Sequence, residues 1–391
     1  MATLKINLAV IVALAACCSL CGAYEQNPGG SGLPAAVSGA SPVPQSVNPG
    51  NQRQLDELTG QLSKKRAVFI GEIHDRLEHH QNQLRVIQSM YARNPDLAIG
   101  VEYFEKPFQS FLDEYIAGSI DEREMLRSTE YFKRWQVDYR LMQPIFAFAR
   151  EKHIPVLALN VPDEIHNKVF RKGMKSLDPS ELAQTPSDMQ PASEHYLQRL
   201  RTIYNSHPPS NDFGTFVEGV LLWDETMADT AARYLKTHPR SRIVVLAGMV
   251  HVMYGDGIPE RVNRRLGGNY SAVIINGNDF GDYPGVADYQ LTTGGGAGLP
   301  KPGKLGVSII DDSRAGSSGG VLISGLTTGS AAQEAGIALG DRIVGLNGTK
   351  VSNVLELKSI MFDKQPGERM RVMVQRGMDT RKELQFEVVL R

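Results

Sequence analysis

The feature that most constrains this chain is a grammar used twice: a short apolar run, a glycine, and a histidine three residues on. Residues 67–70 (Ala-Val-Phe-Ile) read as a buried strand that breaks at Gly71 and leads into Glu72, His74, Asp75, His79 and His80. Residues 242–247 form another such run, closed by Gly248-Met249-Val250-His251. β-Branched and aromatic runs of this length, bounded by turn residues, are strands. Further strands are expected at 98–101, 155–159 and 272–275. Helical spacing separates them: Leu77, Leu84, Ile87 and Tyr91; Phe108, Phe111, Leu112 and Tyr115; Leu141, Ile145, Phe148 and Ala149; then the long stretch 216–235. Strands alternating with helices predict an α/β fold, a mostly parallel sheet flanked by helices. Residues 173–210 show a helix start at Asp178 and little other period, and read as a helical cap region.

In an open α/β sheet, ligands gather outside the carboxyl ends of the strands. Glu72 with His74, Glu102, Asn160 and His251 stand at four such ends, so they are expected to share one pocket. Two imidazoles and two carboxylates suit a divalent metal ion held by His74, His251, Glu72 and Glu102. The same set suits metal-free acid–base catalysis, with a carboxylate fixing a histidine tautomer. Both chemistries stay open. Asp75, Asn160, Asp224 and Arg134 are expected to support these groups from behind. Asp224, beside Trp223, either points at the site or caps a helix. Arg134, beside Trp135 and near Tyr139, either stacks on an aromatic ring or binds a carboxylate. His79 and His80 are expected at the surface or in a supporting place, and Met227 in the core.

A net charge of −1 and the lack of a basic stripe argue against nucleic acid as the partner. All three cysteines (Cys17, Cys18, Cys21) precede the body, which therefore has no disulfide and no thiolate metal site. Lys5 is followed by an apolar core, 6–16, that is short for a membrane span and fits an export signal. Leu14-Ala15-Ala16-Cys17 resembles the lipobox of bacterial lipoproteins, which implies cleavage before Cys17 and lipidation of its thiol. An ordinary signal peptide cut near Ala23 is the alternative. Residues 17–51, rich in Gly, Ser, Pro and Ala from 31 to 50, read as a flexible tether. With lipidation at Cys17, the expectation is a protein of the bacterial cell envelope, anchored to a membrane by lipid and facing the periplasm or exterior. A second glycine- and proline-rich linker, 289–302, precedes a mostly β segment, 303–391.

Gly71-Glu72-Ile73-His74-Asp75 with His79-His80, Val101-Glu102-Tyr103-Phe104, Leu159-Asn160-Val161-Pro162, Trp223-Asp224-Glu225-Thr226-Met227-Ala228 and Gly248-Met249-Val250-His251 together resemble the ChaN-like proteins. These belong to the Tiki/TraB and erythromycin-esterase-like superfamily, and the resemblance spans 52–288. It implies a haem-binding lipoprotein linked to iron uptake, and the carboxylate that Arg134 could bind would then be a haem propionate. Relatives with paired G-x-x-H motifs imply the other function, a metal-dependent hydrolase (protease or esterase). By motif, Glu72, His74, Glu102 and His251 match the superfamily's site. The haem-ligating tyrosine of some members lies outside these motifs, and a homodimer with such a residue at its interface stays open. Residues 303–391 resemble a PDZ domain of the bacterial protease-associated type. The carrying residues are Lys304-Leu305-Gly306-Val307-Ser308-Ile309 and the run from Gly329 through Gly340-Asp341 to Asn347-Gly348. That implies capture of peptide C-termini by the loop Leu305-Gly306 and the edge strand at Val307 and Ile309.

Overall fold

The apolar runs are too short for stable helices and are covered on both faces, as parallel strands between helical layers must be. The structure is a computed structural model. It describes residues 42–135, 137–206, 212–278, 283–296, 298–311, 319–377 and 382–391. Cys17 and the export segment lie outside the described residues. In chain order come β1 (Gln45–Val47), α1 (Gln52–Leu62), β2 (Ala67–Glu72), α2 (Leu77–Arg93), β3 (Leu97–Glu105), α3 (Gln109–Ala117), α4 (Glu122–Ser128) and α5 (Tyr131–Arg134). They are followed by α6 (Gln143–Glu151), β4 (Val156–Asn160), α7 (Asp163–Lys172), α8 (Pro179–Leu182), α9 (Glu194–Asn205), α10 (Phe213–Thr237), β5 (Arg242–Gly248), α11 (Ile258–Leu266), β6 (Ser271–Asn276) and β7 (Tyr289–Leu291).

The first unit takes residues up to Ser119 and Leu141–Gly298. Its seven strands run in the order β1-β7-β6-β2-β5-β3-β4, all neighbours parallel. Every residue of β2, β3 and β6 is buried. The chain leaves β2 towards β3 and leaves β5 towards β6, in opposite directions across the sheet. The carboxyl ends of β2, β5 and β3 are therefore adjacent where the connections part, which is where such sheets bind ligands. Helix α10 backs this edge, with Leu222, Met227, Ala231 and Leu235 packed against Phe69, Leu159, Val245 and their neighbours. The cap is built from α8 and α9. Asp178 and Glu181 form a reciprocal capping box at the start of α8, and Ser193 caps α9. Tyr196 and Leu200 of α9 pack on Phe216 and Val220 of α10.

Three boundaries differ from the sequence reading. β1 lies inside the expected tether, and β7 inside the expected linker; they pair with each other at the edge of the sheet. Both are too short to show a period, and glycine and proline around them mask the signal. The third difference is larger. Residues Ile120–Arg140, expected in the α/β domain, belong to the second unit with Leu299–Arg391.

That unit contains β8 (Val307–Asp311), β9 (Val321–Leu326), α12 (Ala331–Glu334), β10 (Arg342–Leu346), β11 (Thr349–Lys350), α13 (Val354–Met361), β12 (Arg369–Arg376) and β13 (Lys382–Val389). Its sheet is antiparallel in the order β13-β12-β10-β9-β8, with β11 on β10. Val321, Ile323, Ile343, Val372 and Val374 fill the core with Leu357 and Ile360 of α13. Helices α4 and α5 pack on the outside of α13. Phe362 meets Phe132 and Tyr139 at ring distances of 6.1 and 5.7 Å, and Arg123 pairs with Asp363 at 3.5 Å.

Candidate functional site

The site is assembled by two glycines as much as by the ionisable groups. A Cβ on Gly71 would lie 2.5 Å from Val252 Cγ2 and 3.1 Å from Met249 Cα, so the turn after β5 packs against β2 only if residue 71 is glycine. A Cβ on Gly248 would sit 3.1 Å from His74 Nε2 and 3.6 Å from Glu102 Oε2. The first G-x-x-H motif thus presses its histidine against the glycine of the second.

Glu72 ends β2 and is fully buried. One oxygen is 2.9 Å from His74 Nδ1; the other accepts from Gln83 Nε2 at 2.5 Å and lies 3.6 Å from His80 Nδ1. Burial works against its charge, but His80, His74 and the Tyr103 hydroxyl outweigh it and hold the carboxyl down to about 2. For His74, burial disfavours the imidazolium, yet the bond to Glu72 and the charge of Glu102 raise its pKa. The His80 Nε2 donates to the His74 carbonyl at 2.9 Å. His79 Nδ1 accepts from the Ile73 amide at 2.9 Å, and burial lowers its pKa to about 3. Both histidines, read as surface or supporting groups, are buried: they hold the turn that carries His74.

Across Gly248 stands Glu102 of β3, whose Oε2 accepts from the Gly248 amide at 2.7 Å. Its Oε1 lies 3.7 Å from His251 Nε2. His251 Nδ1 is bonded to Asp224 Oδ1 at 2.7 Å, and Asp224 Oδ2 accepts from the Tyr196 hydroxyl at 2.6 Å. Each imidazole therefore donates an Nδ1–H hydrogen bond to a carboxylate. The Nε2 of each is left as the basic nitrogen near Glu102, an arrangement that fixes both tautomers. Trp223 sets its ring edge-on to His251 at 5.7 Å and stacks on His166 at 3.8 Å. Burial pushes the His166 imidazole down to about 3.

Glu72, His74, Glu102, Asp224 and His251 are thus brought together. Other expected residues lie elsewhere. Asp75 is exposed, with Arg76 as its nearest cation at 3.9 Å, because the chain turns outward after His74. Asn160 holds the backbone, donating to the Glu102 carbonyl at 3.3 Å. Arg134 is in the second unit and pairs with Glu130 at 2.9 Å. The expected metal set is also altered, since Glu72 is spent on the far side of the His74 ring. Among the described residues no group of three or more His, Cys, Asp or Glu side chains is placed to hold a metal ion. Gln83, Tyr103 and Tyr196 were not anticipated. Only Tyr103 lay within a motif, next to Glu102.

In the second unit, β8 is the last strand of its sheet and, among the described residues, pairs only with β9. Gly306 takes the left-handed conformation, φ +75°, and its carbonyl accepts from Thr327 N at 3.0 Å. Leu305 is buried in the core, so its main chain and not its side chain faces any ligand. Val307 and Ile309 of β8, with Val354 and Met361 of α13, are the half-buried apolar side chains nearby in sequence and fold.

The fold and this site define a class, which comparison with known proteins makes specific. Residues 58–262 match the family model described as haem-binding uptake, Tiki superfamily, ChaN, and residues 303–389 match that of the PDZ domain. The chain belongs to that ChaN family and carries a PDZ domain after it. Among solved structures it is similar to ChaN of Campylobacter jejuni, described with cofacial haem binding: 16% identity, 63% of this chain, 98% of that one, TM-score 0.49. The PDZ region is similar to the HtrA-type protease AlgW with a decapeptide, at 25% identity, 23% of this chain, 30% of that one and TM-score 0.20. It is also similar to the HtrA3 PDZ domain bound to a phage-derived ligand, at 23% identity, 23% of this chain, 85% of that one and TM-score 0.20. No curated protein matches the chain.

Proposed function

We propose that this is a lipid-anchored haem-binding protein of the bacterial envelope that serves iron uptake or handling, with its PDZ domain docking the C-terminus of a partner. The observation that carries the reading is the ChaN family match over 58–262, which contains the whole buried cluster. His74, Glu102 and His251 are each no more than 1% exposed. A porphyrin is far too large for such a place, so the macrocycle belongs on the outside of the α/β unit. Titration of ferric haemin into the purified protein tests this. A saturable Soret shift is expected, and His74→Ala and His251→Ala should keep it. Absence of any shift would end the haem reading.

One observation favours a second reading, hydrolysis at the buried cluster. Two imidazoles with carboxylate-fixed tautomers, set about Glu102, can accept and return protons during attack of water on a carbonyl. Ester or peptide turnover that persists with a chelator and disappears in His251→Ala would support it. No turnover on a panel of such substrates would set it aside.

A further inference from the structure

A peptide that joins a sheet as an added strand must meet main-chain donors and acceptors at hydrogen-bond length, so the walls of its groove must keep their spacing. On the docking reading above, those walls are β8 and α13. They are tied at both ends. At the open end, Asp311 Oδ1 accepts from the Val354 amide at 2.7 Å, joining the end of β8 to the start of α13. At the other end, beyond α13, the Lys364 carbonyl accepts from the Gly303 amide at 2.8 Å. Gly303 stands just before Leu305-Gly306, the loop in which that reading places the peptide carboxylate.

The segment Ile120–Arg140 grips this closed end from outside. It comes from between α3 and α6, far in sequence from the residues that match the PDZ domain. Phe132 and Tyr139 hold the ring of Phe362 at the end of α13, and the Phe132 carbonyl accepts from Lys358 Nζ at 3.4 Å. Arg140, buried, donates to the Pro300 carbonyl at 3.0 Å, in the chain that leads to Leu305-Gly306. One segment therefore holds both the helix and the entry to the loop. Arg123 on Asp363 and Arg127 on Glu356, at 3.5 and 3.9 Å, are half-exposed pairs that contribute little. The segment is itself fixed. Tyr139 is fully buried, its ring meets Tyr131 at 5.4 Å, and its hydroxyl donates to Glu122 at 3.1 Å. The Tyr131 hydroxyl donates to the Val137 carbonyl at 3.0 Å. Rings ordered before a ligand arrives cost nothing further when it binds, which is preorganisation.

We propose that Ile120–Arg140 is a working part of the peptide site: it fixes the spacing between α13 and the loop Leu305-Gly306, and so sets the affinity for a terminal carboxylate. Phe132, Tyr139 and Arg140 are positioning residues that act through Phe362 and Pro300. This rests on the docking reading. The test uses the purified full chain and a fluorescent peptide selected on it from a library of random C-termini, made in free-acid and amidated forms. The native protein should prefer the acid. Phe132→Ala and Arg140→Gln should each weaken the acid form by about fivefold or more and leave the amide nearly unchanged, so the preference narrows. Phe132→Tyr keeps the ring and should bind like the native protein. Val374→Ala loosens the core of the same unit at a different place and should keep the preference. Arg140→Gln keeps the question decidable if Phe132→Ala does not fold, which thermal melts show. If the native protein prefers the acid and both variants keep that preference, the proposal is overturned while the docking reading stands. If Val374→Ala narrows the preference as much as Phe132→Ala, the effect is general loosening and the proposal is likewise overturned. If the native protein binds no peptide, or binds acid and amide equally, the docking reading fails and the proposal with it.

Discussion

A buried carboxylate such as Asp224 is tolerable only while its oxygens are bonded. His251 takes one and the Tyr196 hydroxyl the other. Tyr196→Phe keeps the packing and removes one bond to a charged group, so a loss of about 1.5–3 kcal/mol is expected from chemical denaturation. His166 makes a different demand. Its folded pKa is about 3, below the ordinary 6.5, so the unfolded chain binds the extra proton between those values. Stability therefore falls as pH drops through that window, by at most about 1.4 kcal/mol per pH unit for this group. His79 acts in the same sense; Glu72 adds its share only from its ordinary 4.5 down to about 2. His74 acts oppositely: with its pKa raised, its contribution is full below 6.5 and fades as pH climbs through the folded value. His166→Phe keeps a ring on Trp223 and should flatten the acid slope, as urea melts at several pH values would show. An unchanged slope would refute the assignment. The G-x-x-H residues were legible because a glycine and a histidine after an apolar strand leave few alternatives. The role of Glu72 was not, since which side of a ring a carboxylate takes is set by Gln83 and His80, not by spacing. Tyr196 sits in a stretch without period and gave no signal.

Helices α4 and α5 show where reading by elements reaches its end. The start of α4 is local, with the Asp121 side chain accepting from the Glu124 amide. The placement of both helices depends on a surface contributed by residues more than two hundred positions away, which no local pattern encodes. Phe132, Tyr139 and Phe362 are the contact. The segment 303–391 therefore lacks part of its own packing when cut out. Phe362→Ala should cost about 3 kcal/mol in the intact chain, within the range for large aromatic truncations. In an isolated 303–391 fragment the same change should cost clearly less, because the partner rings are gone. Paired denaturation curves check this, and equal costs would show that the α4–α5 layer contributes nothing to the PDZ unit.

At the scale of the molecule, the parallel α/β sheet and the β-rich unit follow the sequence because the inner strand runs are legible on their own, whereas β1 and β7 are hidden in segments that read as tether and linker. The anchor is an expectation of the same kind, carried by Leu14-Ala15-Ala16-Cys17. Cys17→Ser should move the protein from the membrane to the soluble fraction or stall its processing, read by cell fractionation; undisturbed membrane partitioning would refute it. Among the described residues no helix is long and apolar enough to cross a membrane. The pairing of β1 with β7 then acquires a mechanical meaning. The two strands are parallel, with Gln45 beside Tyr289 and Val47 beside Leu291, tied by Gln45 N to the Asp288 carbonyl at 3.0 Å and by Thr292 N to the Val47 carbonyl at 2.9 Å. A pull on the chain before Gln45, opposed by a pull beyond Leu291, acts on opposite ends of this pair. The load runs along the strands and is shared by every rung at once, as in a shear clamp. Tension between an anchored leader and a partner held by the PDZ domain would meet that clamp before it reached the histidines.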